Sequence, residues 1–366
     1  MKLRAVLGAA PAAVAVLAAV AVLAVPALAD ETRPRWDTRV FSLVNSPGFP
    51  ASGYVHPNGR VYAGTYTNPL GDTAASRVFE WSAEGQLLRS WTVPGQNLDS
   101  EHGVQVAISD AAGRLVLLDK NPPRALLLDT TTGTFTPYAT FPDLPSCLVA
   151  SGPCSPQPTD DPAIPNFAAW GPDGSLYVTD YSQAVIWRVP EGGGTAKLWL
   201  SDPRLASGPF PTTGLALAAD RKTLLFAQQS SAATSGDDPL TGALYAVPIR
   251  SDGTPGAIRT VWRSQPGDAP DGFAVAASGR IYVALLGANQ LAVISPAGTE
   301  LERFPKNPLT GENGSEVPFD QPSSAAFLGT RILIANQSYV LGQPDHHAIL
   351  DVETTETGLP IYIPGR

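Results

Sequence analysis

The stretch PDGFAVAASGRIYVALL, residues 270–286, decides the fold of this chain. A short polar start that contains Asp271 leads into a run of small and apolar residues. Ser278 and Gly279 supply a turn, and a second run, residues 281–286, is rich in apolar and aromatic side chains. Two such runs on either side of a turn are typical of a β-hairpin.

The same phrase occurs six times along the chain. Each copy has a polar start, an apolar run, a turn and a second strand-like run. The copies lie at residues 49–66, 101–119, 164–181, 210–228, 269–286 and 321–336. Successive copies begin about 50 residues apart, which leaves room for two more strands in each repeat. The sequence between copies contains such strands, for example RALLLDTTTGTFTPYAT at residues 124–140.

Four strands in each repeat indicate a β-propeller blade, so six repeats predict an all-β fold, a six-bladed β-propeller of antiparallel four-stranded blades. A blade that is apolar on both faces is stable only between neighbours, and a closed ring leaves no end face exposed. Two stacked β-sandwiches are the alternative, but they do not explain six copies of one phrase. We expect residues 30–366 to form a single propeller domain.

Residues 1–29 are predicted to be a signal peptide. Lys2 and Arg4 precede an apolar run at residues 9–25, and the sequence ALA that ends at Ala29 is a small-x-small cleavage site. Cleavage there predicts a secreted or extracytoplasmic protein, whereas an uncleaved membrane anchor is the alternative. No later segment has 18 consecutive apolar residues, so we expect no membrane association after cleavage.

The acidic balance of the chain argues against one class of partner. The formal net charge is −9 at pH 7. Nucleic-acid binding needs clustered Lys and Arg to neutralise phosphates, so we expect no nucleic-acid partner. A monomer that binds a small molecule is the expected state.

Cys147 and Cys154 are the two cysteines of the chain, in the segment PSCLVASGPCSP. An exported protein meets an oxidising compartment, so we predict a disulfide that closes this small loop. A metal site is the alternative, although a C-x6-C spacing without a nearby His is not typical of zinc.

The polar start of each repeat is expected to face the mouth of the central channel. Aligning the copies on their turns gives one residue from each blade: Ser52, His102, Asn166, Thr213, Asp271 and Ser324. The register is open by one position in blades one, two and six, and Glu101 replaces His102 if it shifts. Such a ring is typical of a small-molecule or cation site. A channel filled with ordered water is the alternative.

The phrases PNFAAWGPDGSLYVTDY, TTGLALAADRKTLLFA and PDGFAVAASGRIYVA resemble the SMP-30/gluconolactonase/LRE-like (regucalcin-type) family. The resemblance spans residues 45–340 and implies a six-bladed propeller with one divalent metal, usually calcium, at the channel mouth. It also implies lactone or ester hydrolysis by a metal-polarised carbonyl and a metal-activated water. In this family a Glu, an Asn and an Asp hold the metal, and a further Asn faces the substrate.

The match to these family residues is partial. Asp271 matches the metal-binding Asp, and Asn166 matches the substrate-side Asn. Thr213 stands where the metal-binding Asn is expected, and Ser52 stands where the Glu is expected. The resemblance therefore implies a calcium ion held weakly by Asp271 and Asn166, because calcium gains most of its affinity from charged oxygens.

Two functions follow as predictions. The first is a hydrolase of lactones or esters, with Asp271 and His102 as catalytic residues and His102 oriented by the carboxylate of Glu101. In it, Asn166, Thr213, Ser52, Ser324 and Glu101 are the candidate substrate-binding residues. The alternative is a non-catalytic ligand-binding or scaffold propeller that has lost the metal of the family.

Overall fold

Each repeat of the sequence forms one antiparallel sheet in a computed structural model of the protein. The structure describes residues 33–44, 46–67, 73–208, 210–231, 238–339 and 343–366. The chain divides into the units Met1–Arg33 and Pro34–Arg366, and all six sheets belong to the second unit. The predicted signal peptide lies outside the described residues. Within the described ranges, no helix has the length and apolar character needed to span a membrane.

The first strand, β1 (Thr38–Leu43), is separate from the repeat that follows it. Blade 1 consists of β2 (Phe49–Val55), β3 (Val61–Tyr66), β4 (Arg77–Trp81) and β5 (Leu87–Thr92). Blade 2 consists of β6 (Val104–Ser109), β7 (Leu115–Asp119), β8 (Arg124–Asp129) and β9 (Thr134–Thr140). Blade 3 consists of β10 (Pro165–Trp170), β11 (Leu176–Asp180), β12 (Val185–Val189) and β14 (Lys197–Ser201). The short β13 (Gly194–Thr195) pairs in parallel with β9 of blade 2.

The second half of the ring repeats this order. Blade 4 consists of β15 (Leu215–Leu217), β16 (Thr223–Gln228), β17 (Thr241–Pro248) and β18 (Arg259–Pro266). Blade 5 consists of β19 (Pro270–Val275), β20 (Ile281–Leu285), β21 (Gln290–Ile294) and β22 (Glu300–Phe304). Blade 6 contains β23 (Pro322–Leu328), β24 (Arg331–Asn336) and β25 (Ala348–Glu353). Two 3-10 helices, Pro203–Leu205 and Pro344–His346, lie in connections.

Strand β1 completes blade 6 as its outer strand. It pairs antiparallel with β25, and Thr38 lies opposite Val352. The inner strands of neighbouring blades contact one another around the whole ring, in the order β2, β6, β10, β15, β19, β23 and back to β2. These contacts confirm the predicted six-bladed propeller and exclude the pair of sandwiches. Five of the described sheets have four strands as predicted, and the sheet of blade 2 has β13 as a fifth.

The hairpin turns explain the Gly that recurs in the middle of the phrase. Gly113 and Gly279 have φ angles of +84° and +83° in the turns between the first two strands of blades 2 and 5. Residues with a Cβ rarely adopt this left-handed conformation, which glycine adopts without steric cost. The predicted disulfide is present. Cys147 and Cys154 form it, with their Cα atoms 4.9 Å apart.

The packing between blades predicts a large effect of one added methyl group. Gly64 lies in β3, and a Cβ at this position would come within 2.0 Å of the carbonyl oxygen of Val104 in β6. Because that obstacle is backbone, Gly64→Ala must push two blades apart. We expect the free energy of unfolding to fall by about 1–3 kcal/mol or more, measured by urea denaturation.

Gly53→Ala in the same blade is the matched control. A Cβ at Gly53 would meet no heavy atom within 4 Å, and its backbone is not in the left-handed region. We expect its effect to stay within about 0.5 kcal/mol. Equal effects of the two substitutions would contradict the close approach of blades 1 and 2.

Candidate functional site

A cavity of about 80 Å³ lies at one mouth of the central channel, and all six blades contribute to its wall. The antiparallel pairing brings the start of each inner strand beside the end of the second strand, as in blade 5, where Pro270 lies opposite Leu285. Side chains from both positions therefore meet around the cavity. The volume is small compared with the ~300–1,000 Å³ of pockets that hold drug-sized ligands. Only a small molecule, or one end of a larger one, has room to enter.

Aromatic rings form much of the wall. They are Phe49, Tyr66, Phe167, Tyr181, Phe210 and Tyr339. The rings of Tyr181 and Phe210 meet edge to face with centroids 5.1 Å apart, and those of Phe49 and Tyr66 are 6.2 Å apart. These rings exclude water and lower the local dielectric, so each polar group in the wall interacts more strongly.

Besides the tyrosines, the polar part of the wall contains ionisable groups, amides and the hydroxyl of Thr213. The ionisable side chains other than tyrosine are Glu101, Lys120 and Asp271. The uncharged polar side chains are Gln105, Asn166, Thr213, Gln229 and Gln337. Of the residues predicted for the mouth, Glu101, Asn166, Thr213 and Asp271 line the cavity.

Asp271 is buried near the start of β19, at a shift in the pairing of β19 with β20. Burial raises the pKa of its carboxyl from 3.8 to about 8. The side chains of Thr213 and Gln229 and the backbone N–H of Gly272 favour the charged form of the carboxyl, but they only partly offset the cost of burial. The group is therefore mostly protonated at neutral pH and can donate a hydrogen bond.

Asn166 and Gln105 form an amide pair beside Tyr66. The Gln105 side-chain oxygen accepts hydrogen bonds from the Tyr66 hydroxyl at 3.2 Å and from Asn166 Nδ2 at 3.3 Å. Within the described residues, Gln105 Nε2 and Asn166 Oδ1 have no hydrogen-bond partner, although both atoms are buried. A buried donor and a buried acceptor without partners are costly, so a ligand in the cavity is the natural partner for both.

The structure places Glu101, rather than His102, at the mouth. His102 is buried outside the cavity wall, with Nδ1 2.8 Å from the carbonyl oxygen of Ser100 and Nε2 2.9 Å from that of Ala74. Its ring therefore links two connecting segments of blades 1 and 2. The sequence left the register of this blade open by one position. The structure has the shifted register, because the irregular segment before β6 turns Glu101 towards the cavity. The predicted catalytic role of His102 has no support from this position.

Ser52 and Ser324 lie between blades, outside the cavity wall. The Ser52 hydroxyl donates to the carbonyl oxygen of Val106 at 3.1 Å, and the Ser324 hydroxyl accepts from the backbone N–H of Gly53 at 3.1 Å. Both are buried. Each hydroxyl connects the inner strands of two neighbouring blades, and Ala51 and Gln337 line the cavity near them instead.

Sequence reasoning missed a second ring of residues in the wall. One residue at the end of, or directly after, the second strand of each blade lines the cavity: Tyr66, Lys120, Tyr181, Gln229, Leu286 and Gln337. The signal was present in the repeat, because these residues align at the end of each phrase. Antiparallel pairing brings that position to the same mouth as the polar start.

Lys120 is the cation of this second ring. Its ammonium group pairs with the carboxylate of Glu101 and lies 5.3 Å from the ring centroid of Tyr66 and 5.4 Å from that of Tyr181. Burial lowers the pKa of Lys120, and the pairing with Glu101 partly offsets this. Burial also raises the pKa of the Tyr66 hydroxyl.

The donor set does not fit the calcium site that the resemblance implied. Calcium takes six to eight oxygen ligands and depends on charged ones. In the part of the chain that the structure describes, no group of three or more His, Cys, Asp or Glu side chains is placed to hold a metal. Glu101 is paired with Lys120, whose positive charge lies in the same cavity. Among the described residues of the wall, Asp271 is then the one carboxyl without a cationic partner.

The sequence matches the family model described as SMP-30/Gluconolactonase/LRE-like region over residues 71–333. No curated protein matches the chain at a significant level.

Solved structures with the same fold include regucalcin from Agrobacterium tumefaciens, a calcium-binding protein, with a TM-score of 0.58, 16% identity and coverage of 88% of this chain and 96% of that one. A gluconolactonase from Xanthomonas campestris has a TM-score of 0.55, 16% identity and coverage of 86% and 88%. A catalytically inactive virginiamycin B lyase from Staphylococcus aureus, solved with quinupristin, has a TM-score of 0.52, 14% identity and coverage of 86% and 98%.

At these identities the solved structures show a shared fold and no more. The family match, in contrast, is made on the sequence and extends over most of the chain, through the phrases that build the blades and the mouth. The chain belongs to the SMP-30/gluconolactonase/LRE-like family.

Proposed function

We propose that the protein hydrolyses a small cyclic ester, such as a lactone, at the channel mouth, with Asp271 as the general acid. The observation that carries this proposal is the position of Asp271: its carboxyl is buried in the wall of a small cavity that all six blades build. A gluconolactonase and a lyase solved with quinupristin share the fold, which is consistent with a small-molecule substrate.

The chemistry follows from the protonated state of Asp271. A neutral carboxyl donates a hydrogen bond to an ester oxygen and can transfer its proton as the C–O bond breaks. Water attacks the carbonyl carbon, the ester C–O bond breaks, and the leaving oxygen takes the proton from Asp271. The proton that the attacking water releases restores the acid, so the products are a carboxylic acid and an alcohol, joined in one molecule when the substrate is a lactone.

Other groups in the wall would position the substrate. Asn166 Oδ1 is an acceptor without a partner, so it suits a hydroxyl of the substrate. Gln229 lies beside the Asp271 carboxyl and would fix its orientation. The aromatic wall would exclude bulk water, which strengthens the hydrogen bond from Asp271.

A non-catalytic ligand-binding propeller is the second candidate. The observation that favours it is the pairing of Glu101 with Lys120, since the described residues that line the mouth then offer no second unpaired carboxylate to activate water. Under this candidate the cavity binds a small molecule and releases it unchanged.

We propose that the protein acts outside the cytoplasm. The disulfide between Cys147 and Cys154 is consistent with an oxidising compartment, as is the signal peptide predicted for residues 1–29.

Hydrolysis should depend on pH and on Asp271. With a panel of sugar lactones and aryl esters, we expect kcat/KM of the wild type to fall as pH rises through about 8, because Asp271 then loses its proton. Asp271→Asn should lower kcat/KM by about 10²-fold or more, since the amide cannot transfer a proton. Ser324→Ala is the control, because Ser324 lies outside the cavity wall. Turnover that Asp271→Asn leaves unchanged would contradict the proposal, and no turnover of any ester would favour the binding propeller.

The stability of the fold should report the same ionisation without any substrate. The folded-state pKa of Asp271 is raised from 3.8 to about 8, so its protonation contributes stability that is complete below the unfolded-state pKa. This contribution decreases as pH rises and is lost as pH passes about 8. Melting temperatures measured between pH 6 and 9 should therefore fall more steeply for the wild type than for Asp271→Asn. Parallel curves would show that Asp271 does not titrate in this range.

Calcium should have little effect on the protein. Because one unpaired carboxyl supplies too little charge, we expect the melting temperature to stay constant up to about 1 mM calcium, the weak end of extracellular sites. A saturable increase that Asp271→Asn abolishes would instead establish the metal site that the family resemblance implied.

A further inference from the structure

Lys120 is a fixed cation in the wall of the mouth. It follows β7 directly, its side chain is 7% exposed, and its ammonium group lies about equally far from the rings of Tyr66 and Tyr181. Two aromatic faces attract a cation but carry no net charge. The buried charge therefore still needs an anion as its partner.

Glu101 supplies that anion, but its side chain is far more exposed than that of Lys120. Its side chain is 51% exposed and belongs to the connection between β5 and β6, outside any strand. The backbone here is held, since the carbonyl oxygen of Glu101 accepts from the Asn121 amide at 3.4 Å and that of His102 accepts from the backbone N–H of Thr67 at 3.1 Å. The pair is thus unequal: the ammonium is held by the fold, whereas the carboxylate can move into solvent by side-chain rotation alone.

The groups next to Lys120 are also donors. The Tyr66 ring lies beside the ammonium, and the Tyr66 hydroxyl donates to the Gln105 oxygen at 3.2 Å. Asn166 Nδ2 donates to the same oxygen, which fixes the orientation of the Gln105 amide and leaves its Nε2 group without an acceptor. An ammonium and an N–H donor without an acceptor therefore belong to two residues of the wall that both contact Tyr66. A carboxylate has two oxygens that accept hydrogen bonds.

We propose that the mouth binds a small organic molecule through a carboxylate, which replaces the carboxylate of Glu101 on Lys120 and accepts a second hydrogen bond from Gln105 Nε2. Glu101 is then an internal substitute that keeps Lys120 paired while the cavity holds no ligand. This deepens the proposed function, on which it rests for the location of the site, because it assigns the substrate a carboxylate in addition to the ester that is hydrolysed.

The charge of the wall favours a carboxylate over a phosphate. Lys120 is the one Lys or Arg among the described residues that line the cavity. A phosphate monoester carries nearly two charges at neutral pH and usually needs several cationic donors. A single ammonium matches the single charge of a carboxylate.

The test compares pairs of probes that differ in charge and little in shape. Isothermal titration calorimetry would measure the binding of phenylacetate against phenylacetamide, and of gluconate against glucitol. We expect wild-type protein to bind at least one carboxylate about tenfold or more tightly than its uncharged partner, as a charge-assisted hydrogen bond predicts. No preference for either carboxylate would overturn the proposal without any variant.

Two substitutions then test whether the preference for carboxylate probes depends on Lys120 and Glu101. Lys120→Met should remove the preference, and Lys197→Met, at an exposed lysine of β14, is the matched control that should keep it. Glu101→Gln should tighten the binding of the carboxylate by several-fold and leave that of the uncharged probe unchanged, because the internal competitor is gone. A preference that survives Lys120→Met, or a carboxylate that binds more weakly to Glu101→Gln, would contradict the replacement.

This proposal and the hydrolase proposal fail in different ways. The probes contain no ester, so their binding does not depend on turnover. Carboxylate binding without ester hydrolysis would support this inference and remove the hydrolase. Hydrolysis of uncharged esters by a protein that shows no preference for carboxylates would support the hydrolase and contradict the carboxylate site.

Discussion

Close approach between the inner strands of neighbouring blades is the constraint on which the structure depends. An added Cβ at Gly272 would lie 2.7 Å from the carbonyl oxygen of Ser323 in the next blade, and one at Gly214 would lie 2.6 Å from the carbonyl oxygen of Asp271. Both glycines directly follow a residue of the mouth. Glycine at these positions lets six strands converge on a narrow channel, because any larger residue would hold the blades apart. The Gly in the phrase PDG is thus explained by packing, independently of any ligand.

The convergence of the six inner strands also determines the electrostatics of the mouth. Most side chains that the six blades bring together have little access to water, so burial shifts Asp271, Lys120 and Tyr66 towards their neutral forms. The pKa of Asp271 rises to about 8, that of Lys120 falls, and that of the Tyr66 hydroxyl rises. A charge persists at low cost only where a partner lies beside it, as Glu101 does for Lys120. The chemistry available to the protein is therefore that of a neutral acid and a paired ammonium.

The fold could be predicted from the sequence because the same strand–turn–strand pattern occurs six times. Repetition fixes the strands, the turns and their number, and any single ambiguous strand is settled by its five counterparts. Asp271 and Asn166 were placed at the mouth for the same reason, since both belong to copies with regular spacing. The placement of His102 at the mouth is wrong, because the segment before β6 is irregular, and a shift of one residue exchanges the inward and outward side chains. Ser52 and Ser324 lie between blades at shifts in the strand pairing, which a sequence pattern does not reveal.

Lys120 was missed for a different reason. A lysine that follows a strand and precedes Asn121 and Pro122 is typical of a solvated turn, and only the three-dimensional ring shows that this turn faces the channel. The pairing of Lys120 with Glu101 joins residues from two ends of the same hairpin. Its energetics depend on burial, which the repeat pattern does not encode.

The pairing of β1 with β25 has a consequence for how the chain reaches its native state. Among the described strands, β1 is synthesised first, and it completes a blade whose other strands are synthesised last. Five blades can form in order along the growing chain, while the outer edge of β25 stays unpaired until β1 returns to it, at the entropic cost of closing nearly the whole chain into a loop. During that interval the open edge of β25 can pair with β1 of another molecule in the native register, because the two molecules have the same sequence. At high concentration the ring is therefore prone to strand exchange between molecules, and the products would be linked propellers in which each blade is correctly formed.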